Sequence, residues 1–233
     1  MKRIHLTADT DTWTGASTTA LLCARADADA IVFSAGCDAI VQRLEKGGVE
    51  VVRVPFGGWF AALNLSRALR HVAGDSFEIY VHSPSARKAA EGALKLVGRK
   101  EPVRLMDERP MPDFPAVAVA APAAGEEPLL MWLGNITAGC GLKELIEQLG
   151  SRADRPWRLR VVGQGPAKIV SPILQRSRAL GIDRRIEWVG YSANPYEQMN
   201  GVSHGIVADP QSVVAREFAA AGIPVITNIS EIL

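Results

Sequence analysis

The chain is poor in the residues that build covalent or metal-stapled folds. Three cysteines (Cys23, Cys37 and Cys140) in 233 residues are too few and too scattered for a disulfide framework or a zinc site. That scarcity points to a reducing compartment. Charge of one sign is also lacking: the formal net charge is +1, which gives no general argument for nucleic acid or an anionic membrane. No apolar run approaches the ~18 residues of a membrane span, and Met1–Thr7 enters an apparent strand with no long apolar leader behind it. The expected location is cytoplasmic. Basic residues do gather between Arg152 and Arg185, read either as solvated helix faces or as a local site for an anionic acceptor or a lipid headgroup.

What is present is a core and an alternation. Hydrophobic residues make up 48% of the chain and charged residues 22%, ordinary for a globular protein. Short apolar runs predict strands at 3–6, 30–33, 50–54, 77–81 and 103–106, with helical patterns at 15–26, 38–46, 60–71 and 86–97 between them. The alternation breaks at the proline-dense stretch 109–115 and the alanine-rich stretch 116–128. It resumes with strands at 129–133, 158–162, 186–189, 205–208 and 224–227, and helices at 142–149, 168–180, 195–199 and 213–221. Strand and helix in strict alternation give parallel βαβ units. We therefore expect an α/β protein of two Rossmann-like parallel-sheet domains, 1–115 and 129–233, joined by a linker at 116–128 and facing across a cleft. Part of that linker is apolar enough to pack as an edge strand instead.

Ligands of such sheets sit beyond the carboxyl ends of the strands, where helix N-termini and glycine turns expose amides to an anion. That geometry favours a phosphorylated or nucleotide ligand. Gly163-Gln-Gly-Pro lies between a strand and a helix, but Lys168 stands where a dinucleotide fingerprint would need its third glycine. Gly15, between the first strand and helix, is either a plain turn or a place for close ligand approach. His82, ending a strand, either orients an acceptor, shuttles a proton or is a structural histidine. Asp9 and Asp11 fit an acceptor-binding pair, a metal-attracting pair or a solvated loop, the last being favoured. Trp13 and Trp59, in predicted loops, are the tryptophans placed to stack on a sugar.

Four blocks carry a family resemblance. Residues 132–149 open a domain with Trp-Leu-Gly-Asn-Ile-Thr-Ala-Gly-Cys-Gly, and 157–166 run through a strand into Gly-Gln-Gly-Pro. Residues 181–196 contain Trp-Val-Gly-Tyr-Ser-Ala-Asn-Pro-Tyr, and 216–226 read Arg-Glu-Phe-Ala-Ala-Ala-Gly-Ile-Pro-Val-Ile. In order and spacing these resemble the nucleotide-binding domain of GT-B glycosyltransferases, family 4 above all. The likeness is looser in the N-terminal half, at 13–20 and 81–84.

The resemblance implies a hexosyltransferase that moves a sugar from a nucleotide-diphosphate-sugar to an unidentified acceptor, with retention. It implies no metal and no cofactor beyond the donor. Glu217 would accept hydrogen bonds from the ribose hydroxyls, and amides near Ser212 and Val213 would face the diphosphate. Gly134, Asn135, Gly163, Gly165, Tyr191 and Gly15 would complete the donor site. Asp209, with seven residues between it and Glu217, would hold the donor sugar or else mark a strand end. His82 and Asp107 would stand on the acceptor wall. Nucleic acid is not indicated as a partner, and the sequence gives no oligomeric state.

Two departures matter. The family's basic pair after the first strand of this domain, which grips the diphosphate, is replaced by Asn135 and Cys140; Lys143 or Arg160 would have to substitute. The chain also ends at Ile229-Ser-Glu-Ile-Leu, where the family continues through further helices, which suggests a compact member. The alternative reading is therefore a degenerate GT-B protein that binds a nucleotide or partner without transfer. A dinucleotide protein with Glu187 as its ribose partner is a third option.

Overall fold

The computed structural model describes residues 1–8, 14–55, 60–72, 76–82, 84–105, 112–192 and 194–233. Asp9, Asp11, Trp13, Trp59 and Asp107 lie outside the described residues. The chain divides into two compact units, Met1–Asp113 and Phe114–Leu233.

The first unit contains β1 (Lys2–Thr7), α1 (Gly15–Ala26), β2 (Ala30–Ser34), α2 (Asp38–Lys46), β3 (Glu50–Arg53), α3 (Ala61–Val72), β4 (Phe77–Val81), α4 (Pro84–Leu96) and β5 (Val103–Leu105). Its strands order as β3-β2-β1-β4-β5, and every pair is parallel. Alternate residues of a strand face opposite sides of the sheet. Ile4, Leu6, Ile31, Phe33, Ile79 and Val81 pack with Leu65 and Leu69 of α3. Val32, on the opposite face, packs with Ala20, Ala24, Ile40 and Leu44 of α1 and α2. Both faces being covered explains why the strands read as nearly continuous apolar runs.

The second unit repeats the pattern with β6 (Leu129–Leu133), α5 (Leu142–Gly150), β7 (Arg158–Val162), α6 (Ala167–Ala179), β8 (Ile186–Gly190), β9 (His204–Ile206), α7 (Val213–Ala220) and β10 (Val225–Ile226). Its order, β10-β9-β6-β7-β8, is the same topology read from the other edge. Each sheet is Rossmann-like, with its strand order reversing between β1 and β4 or between β6 and β9. Leu130 and Trp132 join Leu159, Val161, Leu145 and Leu149 in one core. Met131, Val162, Phe218 and Ile223 form the other. Fully buried Trp157 donates its Nε1–H to the Arg152 carbonyl at 2.9 Å, so its one polar group is satisfied.

Two expectations change. Residues Pro195–Met199 form a 3₁₀ turn, not an α-helix: five residues opening on proline are too few for a stable α-helix. The strand at 205–208 is shorter and earlier, His204–Ile206, because the chain turns at Ala208–Gln211 to enter α7. Along 114–120, Phe114, Val117 and Val119 are half-buried. The Val117 N–H donates to the Ala220 carbonyl at 2.8 Å and the Ala120 N–H to Asn200 Oδ1 at 2.8 Å. This stretch belongs by contact to the second unit.

Candidate donor site at the carboxyl edge of the second sheet

Three loops leave the carboxyl ends of β6, β7 and β8 and are laced together by backbone hydrogen bonds. Gly134 N–H donates to the Val162 carbonyl (3.0 Å), Ile136 N–H to Gln164 (2.8 Å) and Gly163 N–H to Gly190 (2.7 Å). A Cβ on Gly163 would stand 1.8 Å from the Gly134 carbonyl oxygen, and one on Gly165 2.0 Å from that of Ile136. Both glycines are thus required by loop-to-loop packing, whatever else they do. Gly163 also has φ +150, which a side chain rarely tolerates.

The next strand delivers α7. Ser212 caps it, its Oγ accepting the Ala215 N–H at 3.2 Å. A helix start leaves its first amides without intrahelical acceptors. Here those amides belong to Val213 and Val214, on the positive end of the helix dipole. Glu217 sits one turn further on and is 8% exposed, a placement that a merely solvated glutamate would not adopt. Asp209 is exposed in the turn before α7, where its Oδ1 accepts the Gln211 N–H at 2.8 Å. Asn135 is exposed in the β6 loop, and Tyr191, 42% exposed, follows the left-handed Gly190.

Two hollows adjoin this edge. One of about 420 Å³ is lined by Ile136, Gly163–Gly165, Val170, Leu174 and Trp188–Gly190. A smaller one, about 160 Å³, lies at the ends of β6 and β9 against Trp132, Cys140, Glu144, Gln148 and Thr227. The loops after β6, β7, β8 and β9 thus place Gly134, Asn135, Gly163, Gly165, Tyr191, Asp209, Ser212 and Val213 at the carboxyl edge of one sheet, with Glu217 a turn inside α7. Asp209, Ser212, Val213 and Glu217 line neither hollow.

Arg160 is not available to replace the missing basic pair. Its guanidinium is held by Glu187 (2.8 Å) and by the carbonyls of Gln198 (2.8 Å) and Asn200 (3.2 Å). It sits in mid-strand, and pairs in register with Glu187, so neither reaches the loops. That also removes Glu187 as a ribose partner. Lys143 is exposed in the first turn of α5. Of the basic residues between 152 and 185, Arg176 is tied to Glu147 by paired hydrogen bonds of 2.6 and 2.7 Å, which depress that carboxyl and raise the guanidinium.

In the first unit, Gly15 opens α1 behind the capping Thr14, and its carbonyl accepts the Thr19 hydroxyl at 2.7 Å. His82 follows β4, its N–H donating to the Leu6 carbonyl at 3.0 Å and its Nε2 lying 3.1 Å from His5 Nδ1. Sequence reasoning missed His5 and Asp27. A histidine in register with an apolar strand was the signal that should have prompted a search for its partners. Among the described residues, no three His, Cys, Asp or Glu side chains gather as metal ligands would, and no helix is long and apolar enough to cross a membrane.

The same double-sheet arrangement occurs in solved glycosyltransferase structures. Anabaena HepE in complex with UDP-glucose superposes with a TM-score of 0.74 at 13% identity, over 97% of this chain and 79% of that one. The fold is GT-B. Other GT-B neighbours are a glycosyltransferase from Rickettsia africae (TM-score 0.62, 11% identity, 99% and 81% covered) and the apo form of the lipopolysaccharide outer core galactosyltransferase WaaB (0.57, 14%, 97% and 80%). No protein-family model and no curated protein matches the sequence. At these identities the GT-B likeness establishes architecture, and chemistry has to be argued from the site.

Proposed function

We propose that this protein is a glycosyltransferase using a nucleotide-diphosphate-sugar, with the donor bound at the carboxyl edge of the second unit. The observation that carries the reading is Glu217, a nearly buried carboxylate one turn inside a helix whose first amides face the same edge. An ionised carboxylate accepts two hydrogen bonds from a ribose diol, and a helix start suits a diphosphate. The hollow beside Gly163 and Gly190 would take the base, and Asp209 the donor sugar. Neighbours of this fold whose structures contain UDP or UDP-glucose support the same donor class.

Transfer would then rest on positioning and on amide stabilisation of the leaving diphosphate, with no metal called upon. By resemblance the anomeric configuration is retained, and the scarcity of cysteine fits work in the cytoplasm. The engagement of Arg160 favours one alternative, a GT-B protein that binds a nucleotide or partner without transfer, since that guanidinium does not replace the missing basic pair. Turnover separates the two. Incubation with UDP-, GDP- and ADP-sugars, followed by mass spectrometry, should show slow release of one diphosphate that Glu217→Ala abolishes. Binding without release by the wild type would leave the non-catalytic reading standing.

A further inference from the structure

Helices α3 and α4 concentrate positive charge in a chain that is nearly neutral. Both lie on one face of the first sheet, where Leu65 and Leu69 of α3 and Ala86, Ala90 and Ala93 of α4 enter the same core. A Cβ on Gly92 would stand 3.0 Å from that of Ala62, so the helices pack closely side by side and present one surface away from the sheet. The Phe60 carbonyl accepts the Asn64 N–H at 2.9 Å, which places Phe60 in the first turn of α3. Phe60, Leu63, Arg67 and Arg70 then recur at three- and four-residue steps, and all four are exposed. On α4 the exposed stripe is Lys88, Glu91 and Lys95, with Leu96 beside it. Arg70 ties the two stripes together, its Nη2 donating to the Leu96 carbonyl at 3.2 Å.

The charge of this surface is one-sided. The two helices hold Arg67, Arg70, Arg87, Lys88 and Lys95 against a single acid, Glu91. Arg87 already engages Glu91 at 3.0 Å, so the other four cations have no acid left to them on either helix. The whole chain, by contrast, carries a net charge of +1. Apolar groups share the surface: Phe60 is 67% exposed, Leu96 52% and Leu63 37%, three of the five large hydrophobic side chains exposed among the described residues. One exposed leucine says little. Three such side chains among uncompensated cations match an anionic bilayer, whose phosphates meet the basic heads while the apolar tips enter the acyl boundary. A nucleic-acid backbone would use the cations and leave Leu63 and Leu96 in water.

We propose that the outward face of α3 and α4 docks this protein on an anionic lipid bilayer. Phe60, Leu63 and Leu96 enter the interface, and Arg67, Arg70, Lys88 and Lys95 lie at the level of the headgroups. The contact is peripheral, with the helices lying along the surface. It holds whether or not the protein transfers a sugar.

The test is flotation of the full chain with vesicles of phosphatidylcholine alone and of phosphatidylcholine containing about one third phosphatidylglycerol. The wild type should float with the anionic vesicles at low salt and not with the neutral ones, and about 0.5 M salt should release most of it. Substitutions at exposed positions, which leave the core untouched, separate the contributions. Arg67→Gln, Lys88→Gln and Lys95→Gln together should weaken vesicle binding about tenfold or more. Phe60→Ser with Leu63→Ser should weaken it clearly at unchanged protein charge. Arg178→Gln with Arg184→Gln, at exposed cations of the second unit, should leave it as it is. Failure to float with anionic vesicles overturns the proposal, as does flotation that survives both sets of helix substitutions or is lost in the Arg178 and Arg184 variant. Retention on heparin without flotation would assign the face to a polyanionic partner and overturn the proposal equally. No nucleotide enters this experiment, so its failure is distinct from a failure of donor turnover.

Discussion

Phe218 of α7 lies directly over Gly205 of β9: a Cβ added to the glycine would stand 2.4 Å from the ring. The missing side chain lets α7 settle on the sheet, and α7 carries Glu217 and the amides of its first turn. Gly205→Ala must push the helix outward or force Phe218 off its rotamer, at about 1–3 kcal/mol. Chemical denaturation should show that loss. Diphosphate affinity should fall with it, because the displaced helix carries the binding groups.

Gly163 makes a stricter demand. An alanine there meets the Gly134 carbonyl oxygen at 1.8 Å and must also adopt φ +150. We expect Gly163→Ala to cost about 3 kcal/mol or more and to separate the β6 and β7 loops. Amide exchange at Gly134 and Ile136 would report that separation.

Arg160→Ala should separate stability from binding. The substitution leaves the Gln198 and Asn200 carbonyls without their guanidinium donor, a loss of about 1–2 kcal/mol. Calorimetry on the folded variant should find diphosphate affinity unchanged within about twofold, as expected of a buttress beneath the 195–199 turn and not of a ligand contact.

His204 sets a pH dependence. Burial holds its imidazole below the ordinary value of 6.5, and Glu231 offsets only part of that effect. The unfolded chain therefore binds a proton there before the folded protein does, so stability is present above the ordinary histidine range and is lost as pH falls through it. The urea midpoint should be lower at about pH 5.5 than at about pH 7.5, with a shallower dependence in His204→Gln.

Much of this was legible beforehand, for a local reason. Strands such as Leu129–Leu133 and Arg158–Val162 are short apolar runs set between helical patterns, and the structure reproduces their bounds. Hydrophobic period and glycine turns are local signals. What escaped was non-local. That Arg160 spends its guanidinium on Gln198 and Asn200 depends on which turn folds over mid-strand β7. The contacts of His5 with Asp27 and His82 join residues 22 and 77 apart in the chain, brought together by the end of α1 and by the β1–β4 register. The reason for Gly205 is likewise invisible until α7 is laid across it.

The most direct test of the donor site is calorimetric titration with UDP, GDP and ADP, repeated on Glu217→Ala. The site as described predicts that one diphosphate binds the wild type in the micromolar range and that the variant binds it about tenfold more weakly or worse, the loss expected for a charged hydrogen-bond acceptor. No binding of any diphosphate, or equal binding by a folded Glu217→Ala protein, would contradict it.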